Sequence, residues 1–432
     1  MSLATVDDPT REELQLLATQ VAEEPAATLY DTIHNSLILN HIVPYLPVSS
    51  VLNLAAANRA FRALIFETPG VFRHLDLSRV KAVQFDIDKI DHGGEVWRNV
   101  QLDENLTEDD FYSGPLRGIF STLRRQSILQ NVQTLILDGL SVTSELCHEI
   151  INDTSFNVRV LSIREVRNLN QGKLRQSLQY ACRPTRKAGF PRLQALYVFG
   201  FKDVLSFTQN NDLKAYTVAE WKTFMAPPQR DGDTWWHTKG RMIPLNGKAS
   251  QEWANCMLAC QGIIAFDAVL CHGPRHRNSP AHKGTSDLDS APAVATHALH
   301  GCETCHNAPE ALIHPGSGSV TNLPLLAPLP LLSSSLRAAT TPKEPCSSFV
   351  PRCLDCVRER YCLGCQKWWC ESCYELPGQS SAGHFATQIA IVDDETADSF
   401  GNLDLATPTM KLKVRDGLCL PCKLLGAQEK RA

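Results

Sequence analysis

Five Cys-x-x-Cys pairs crowd into the C-terminal part of this 432-residue chain: Cys302/Cys305, Cys353/Cys356, Cys362/Cys365, Cys370/Cys373 and Cys419/Cys422. Of its 16 cysteines only Cys147 and Cys182 precede residue 256. A two-residue gap lets both sulfurs of one turn reach a tetrahedral ion at about 2.3 Å, and two such turns complete a closed four-cysteine site. The N-terminus, MSLATVDDPTREELQ, is acidic and lacks an apolar signal core, so the expected setting is cytoplasmic and/or nuclear. In that reducing pool the pairs read as metal ligands before disulfides. Two or three zinc ions are expected, since the spacing suits zinc ribbons and cross-braces better than iron–sulfur clusters.

The densest stretch runs from Cys353 to Tyr374, where adjacent pairs are separated by five and four residues. Gaps that short disfavour convergence of three pairs on one ion and favour cross-bracing, in which alternate pairs share a metal. The expected pairing is Cys353/Cys356 with Cys370/Cys373, and Cys362/Cys365 with Cys419/Cys422 or with one cysteine plus His384. Cys302/Cys305 then displaces one of these pairs or holds a third ion with His306, Cys346 or another residue. All-cysteine zinc sites carry about two negative charges each, which Arg352, Arg358, Arg360 and Lys367 are placed in sequence to offset. His272, His276 and His282 read as surface histidines of a polar linker. Two adjacent tryptophans on one small turn cannot both point inward, so one of Trp368 and Trp369 should cover the metal core and the other should offer a partner contact. The alternative is that residues 323–332 shield both.

This segment is similar to ZZ-type fingers, whose middle reads Tyr-x-Cys-x-x-Cys, an aromatic pair, then Cys-x-x-Cys-Tyr. Tyr361, Trp368, Trp369 and Tyr374 fit that pattern. The family's terminal histidine pair is missing; His384 lies nearby, and Cys419/Cys422 stand where substitutes could come from.

The N-terminal part has a different grammar. Residues 1–30 read as a polar, acidic leader with a helix start expected at Asp8-Pro9-Thr10. From Ser36, the residues Ile38, Ile42 and Leu46 share one helical stripe with Leu39 beside it, and Pro44 keeps that helix short or kinked. Val51, Leu52, Leu54, Ala55 and Ala56 form a second helix, and Phe61, Leu64 and Ile65 mark the inner side of a third. The ordered elements Leu46-Pro47, Val51-Leu-Asn-Leu54, Arg59-Ala-Phe-Arg-Ala-Leu64 and Phe72-Arg-His-Leu-Asp-Leu77 resemble the F-box, with phenylalanine at 61 and 72 where tryptophan is common. The resemblance covers residues 31–78 and implies docking to a Skp-type adaptor, and through it to a cullin. The contact residues it implies are drawn from Leu39, Ile42, Leu46, Pro47, Leu52, Leu54, Phe61 and Leu64.

Between residues 72 and 205 one spacing recurs, apolar-x-x-apolar-x-apolar, at Phe72/Leu75/Leu77, Val132/Leu135/Leu137, Val158/Leu161/Ile163 and Leu193/Leu196/Val198. Each suits a short parallel strand with a buried face, and Ser144–Ile151 suits an outer helix. The pattern is similar to leucine-rich repeats, although an asparagine ladder is not evident; strands of an ordinary α/β domain would read the same way. Residues 206–272 hold Trp221, Trp235, Trp236 and Trp253, with helices expected at 218–225 and 250–260 and a buried strand at 263–270. Residues 273–301 read as a linker. The Pro/Leu-rich stretch 307–351 reads as an insertion whose apolar segment Leu323–Leu332 packs in extended form on the metal module.

The expected fold class is therefore multidomain α/β: an N-terminal three-helix F-box, a leucine-rich-repeat-like α/β middle over 79–272, and a small zinc-binding module over 302–432. Forty-two Lys and Arg against 46 Asp and Glu give a net charge of −4, which offers no general attraction for nucleic acid. No apolar run approaches the roughly 18 residues of a membrane span. Phosphate-binding glycine loops, HExxH and Gly-x-Ser-x-Gly are absent from the sequence, so no catalytic residue is expected. The resulting expectation is a non-catalytic receptor that presents a protein substrate within an SCF-type cullin–RING ubiquitin ligase. A stand-alone RING-like ligase and a zinc-stabilised scaffold with no ubiquitin role are the alternatives.

Overall fold

Thr28 caps the first described helix reciprocally: its side chain accepts from Asp31 N while the Asp31 carboxylate accepts from Thr28 N. The computed structural model describes residues 28–80, 83, 107–202, 250–282, 291–316, 319–342, 347–374, 413–415, 417–422 and 424. The leader to residue 27, the tryptophans Trp221, Trp235 and Trp236, the expected helix 218–225, Cys346 and His384 lie outside the described residues.

Helix α1 (Leu29–His34) is followed by α2 (Ser36–Ile42), which tightens into a 3₁₀ turn at Val43–Tyr45 where Pro44 intervenes. Helices α3 (Val48–Ala57) and α4 (Arg59–Glu67) form the tightest pair, with Asn58 accepting from Phe61 N at 2.7 Å as the cap between them. Leu39, Val51, Phe61 and Ile65 close the interior. Leu39 and Phe61 are thus core residues and are removed from the set available for an outside contact; Leu54 and Leu64 are half-buried, and Ile42, Leu46, Pro47 and Leu52 face solvent.

The chain then passes directly into a five-stranded, wholly parallel sheet: β1 (His74–Asp76), β2 (Thr134–Ile136), β3 (Val160–Ser162), β4 (Ala195–Tyr197) and β5 (Ala265–Phe266). Spatial order equals chain order. Leu75, Leu135, Leu161, Leu196 and Phe266 stand in one register across it. The fifth strand continues the recurring spacing as Ile263/Phe266/Ala268, with alanine in the last position. Helices α5 (Glu108–Arg125), α6 (Ser144–Asn152), α7 (Gln171–Ala181) and α8 (Gln251–Ala259) connect the strands and pack on one another in sequence, over the face that carries the register leucines. Buried carboxylates fix the strand ends. Asp138 accepts from Arg164 Nη2 at 2.6 Å and Arg164 N at 2.8 Å, and Asp267 accepts from the amides of Val198, Phe199 and Gly200.

The opposite face, carrying Ile136, Val160, Ala195, Tyr197 and Ala265, is covered by Leu325, Leu329, Leu336 and Ala339. This corrects the placement of the Pro/Leu-rich segment: rather than in the small cluster around Cys302 and Cys370, Leu325 and Leu329 pack on the sheet. Its polar groups are satisfied there, with Leu325 N donating to Phe266 O at 2.8 Å, Tyr197 Oη donating to Ala327 O at 3.0 Å, and Thr134 Oγ1 and Ser334 Oγ 2.8 Å apart. Strand β6 (His297–Leu299) pairs antiparallel with β7 (Val350–Arg352). All three β6 residues are buried, so 291–301 is structured core and the linker reading of 273–301 fails on the described part of it. Helix α9 (Leu336–Thr340), the turn α10 (Leu354–Val357), and the hairpin of β8 (Val414–Arg415) with β9 (Leu418–Cys419) complete the described elements. Among the described residues no helix is long and apolar enough to cross a membrane.

Candidate metal centres

Two of the Cys-x-x-Cys turns are built alike. In one, Cys302 N donates to Asn307 O and His306 N to Cys302 O; in the other, Cys362 N donates to Lys367 O and Gln366 N to Cys362 O. The residue after each second cysteine, His306 or Gln366, takes positive φ (56° and 59°), which curls the chain back beneath the two sulfurs. Each turn then receives an amide from its partner pair: Cys370 N donates to Cys302 Sγ and Cys419 N to Cys362 Sγ, both at 3.2 Å. Burial works against ionisation, but these and other backbone N–H groups hold the thiols down, Cys302 to about 7 and Cys362 to about 6. Thiolates are the ligating form.

Three four-residue groups result: Cys271/His276/Cys353/Cys356, Cys302/Cys305/Cys370/Cys373 and Cys362/Cys365/Cys419/Cys422, the donor atoms of each within 4.8 Å of one another. We refer to them as centres 1, 2 and 3. Sulfurs about 2.3 Å from a tetrahedral ion stand about 3.8 Å apart, and a nitrogen–sulfur edge is slightly shorter. The observed edges are 3.7 Å for Cys271–Cys356, 3.6 Å for Cys305–Cys370, 3.6 Å for Cys365–Cys419, and 3.3 Å from His276 Nε2 to the sulfurs of Cys353 and Cys356. A disulfide would require about 2.05 Å. The groups are therefore positioned to bind metal ions and are compatible with zinc; four protein donors at each leave no open position, as in structural sites.

Centre 1 is the departure from the sequence reading. Cys353/Cys356 does not join Cys370/Cys373; it joins Cys271 and His276, at a Cys-x-x-x-x-His spacing. Cys370/Cys373 instead takes Cys302/Cys305, and Cys362/Cys365 with Cys419/Cys422 stands as one of the two expected options. His276 is no surface residue: it is buried, and its Nδ1 donates to Ala291 O at 2.6 Å, which directs Nε2 at the thiols. His306 shapes its knuckle through the backbone and is not in a ligand group. All four ligands of centre 1 are buried, whereas centres 2 and 3 each expose one cysteine, Cys305 and Cys365.

The cations near the dense stretch do not bond the sulfurs. Arg352, fully buried, pairs with Glu310 and Glu371; Arg360 pairs with Glu371, Arg358 with Asp355 and Lys367 with Glu303. Backbone amides supply the outer bonds to the sulfurs instead. Trp368 is fully buried with its Nε1 donating to His300 O, and Arg352 lies 5.2 Å from its ring centre. Trp369 is half-buried, with Lys413 Nζ 5.8 Å from its ring.

Gly273 shows how closely centre 1 is fitted. A Cβ there would stand 2.6 Å from Cys356 Sγ. Gly273→Ala is expected to cost the protein the metal of centre 1 while centres 2 and 3 keep theirs, read as the loss of one equivalent by elemental analysis. A full metal content would show that the 272–275 loop yields.

Comparison with protein-family models, with curated proteins and with solved structures finds no match for this chain.

Proposed function

We propose that the chain is a non-catalytic substrate receptor of an SCF-type cullin–RING ubiquitin ligase, docking a Skp-type adaptor through its N-terminal helices and presenting a protein substrate. One observation carries the reading. Of the twelve large apolar side chains exposed among the described residues, seven lie between Leu29 and Leu52: Leu29, Leu37, Ile38, Ile42, Tyr45, Leu46 and Leu52. Leu37 is 71% exposed and Leu52 45%. Apolar exposure concentrated in one small helical unit marks a protein-contact surface. The shared core that joins it to a sheet of chain-ordered strand–helix units supports a leucine-rich-repeat-like scaffold behind it, and the three centres support three zinc ions.

The test is co-purification. Leu46→Asp with Leu52→Asp alters only solvent-facing positions, so folding should survive while capture of the Skp-type adaptor is lost. Wild-type protein that captures no such adaptor would end this reading.

The ligand order favours one further possibility. Centres 2 and 3 use alternate pairs, 302/305 with 370/373 and 362/365 with 419/422, the cross-braced arrangement of RING-like ligase modules. Ubiquitin transfer by the purified full chain with a conjugating enzyme, in the absence of cullin, would establish that activity.

A further inference from the structure

A cleft of about 920 Å³ opens beside the N-terminal ends of β3, β4 and β5, between the 184–192 loop and the first turn of α9. Its walls carry Arg159, Arg186, Lys187, Arg192 and Arg337 and no carboxylate. Within a chain of net charge −4, that concentration is local and not compositional. Among the described residues none of the five is ion-paired. Arg192 is held in place: it donates to Phe156 O at 3.0 Å and lies 5.5 Å from the Phe190 ring. Arg159, Arg186, Lys187 and Arg337 are exposed. Five like charges around one concavity repel one another, and an anion relieves that repulsion.

Four of the five are arginines, whose planar forks match two oxygens of a carboxylate or a phosphate. The rest of the wall includes Phe190, Pro191, Ile263 and Leu336, so the cleft is half apolar. An inorganic anion makes no use of such a wall. A nucleic-acid strand needs a basic groove that tracks its backbone past successive stacking aromatics, and the one aromatic here is Phe190. A peptide supplies anions and apolar side chains together, and the volume lies in the range of ligand pockets. We propose that this cleft binds an acidic segment of a partner protein, in which closely spaced oxyanions, carboxylate or phosphate, flank an apolar side chain. The assignment deepens the receptor reading by naming the chemical class of its substrate, and it rests on that reading for the choice of a protein as partner.

The experiment uses metal-loaded full-length protein and fluorescence anisotropy with four probes. Three are short mixed-sequence peptide pools that are identical except at two central positions, occupied by phosphoserine, glutamate or serine; the fourth is a single-stranded oligonucleotide. The acidic pools should bind, and the serine pool should bind at least about tenfold more weakly. Tighter binding of the phosphoserine pool identifies phosphate as the source of the oxyanions; equal binding of the two acidic pools identifies carboxylates as sufficient. Arg159→Ala with Arg337→Ala, and separately Arg186→Ala with Lys187→Ala, should each weaken the acidic pools by a similar factor with metal content unchanged. Equal binding of the serine pool, binding unchanged in both double variants, preference for the oligonucleotide, or no binding of any probe would overturn the proposal. Adaptor capture is measured on the same preparations. Its failure alongside acidic-peptide binding sinks the receptor reading and leaves the cleft assignment standing.

Discussion

Stripping the metal with a chelator at neutral pH will unfold the small unit around centres 2 and 3 and leave the helical unit and the parallel sheet, with its 325–339 cover, folded. The apolar core of the metal-centred part is small: Leu299, Ala308, Val350, Val357 and Trp368, with Cys302 and Cys370. Its regular structure amounts to three-residue and two-residue strands and one turn of helix. So little burial cannot offset the entropy of ordering the chain. Structural zinc contributes about 10–16 kcal/mol to the folding of such units at neutral pH. The core under the helices and the sheet runs on past Phe266 through Val294 and Leu326 to Phe349 and takes in Cys271, Cys353 and Cys356, so this part holds by apolar packing rather than by an ion. Limited proteolysis with and without chelator reads the result: new cleavage is expected within 302–308 and 361–374, with the sheet and its cover intact. A protease-resistant C-terminal part in demonstrably metal-free protein would contradict it.

Arg352→Met will destabilise the same region by about 3–5 kcal/mol, the cost of orphaning a buried charge. Arg352 and Glu310 have fully buried side chains, and Glu371 is nearly so. Arg352 Nη2 lies 2.9 Å from Glu310 Oε2 and 3.2 Å from Glu371 Oε2. Burial pushes the Glu310 carboxyl up, and the Arg352 guanidinium is the main influence opposing that. With the arginine gone, Glu310 must take up a proton or drag in water. Arg352→Met combined with Glu310→Leu removes both charges and should recover most of the loss, since Glu371 keeps Arg360 as its partner. Urea midpoints of the two variants decide the matter; a double variant no more stable than the single would mean that packing over Trp368, and not charge, is what Arg352 supplies.

Much of the sheet was readable in the chain because its register leucines repeat one spacing. The fifth strand broke the pattern only by using Ala268 where the others carry Leu, Ile or Val. The cover on the second face was missed although the sequence carried a sign of it. Leu135-Ile136, Val160-Leu161 and Ala195-Leu196-Tyr197 are apolar at consecutive positions, and a strand apolar on both sides has both faces buried. That second face needed an occupant, and Leu323–Leu332 was the available apolar segment. The pairings were harder, because Cys-x-x-Cys turns are chemically alike and spacing alone cannot rank partners tens of residues apart. Centre 1 was hidden further by its Cys-x-x-x-x-His half, set in a stretch whose polar composition suggested a linker. One arithmetic clue was present: five pairs cannot fill four-ligand sites evenly, so one pair had to find donors elsewhere. The side chain of Leu39 shows the limit of a helical stripe, which marks apolar positions without saying which of them a neighbouring helix will cover.

The ligand halves occur along the chain in the order 1, 2, 1, 3, 2, 3, so that each centre's loop encloses one half of the next. A polypeptide made from its N-terminus completes these loops one after another, at Cys356, Cys373 and Cys422. When Cys353/Cys356 emerges, Cys302/Cys305 is already waiting as an equally competent but wrong mate. Only the earlier Cys271 and His276 compete for the newcomer. The half that holds His276 differs in chemistry from the other five. The next pair out, Cys362/Cys365, again meets a free wrong mate in Cys302/Cys305, and a single free half remains only after the closure at Cys373.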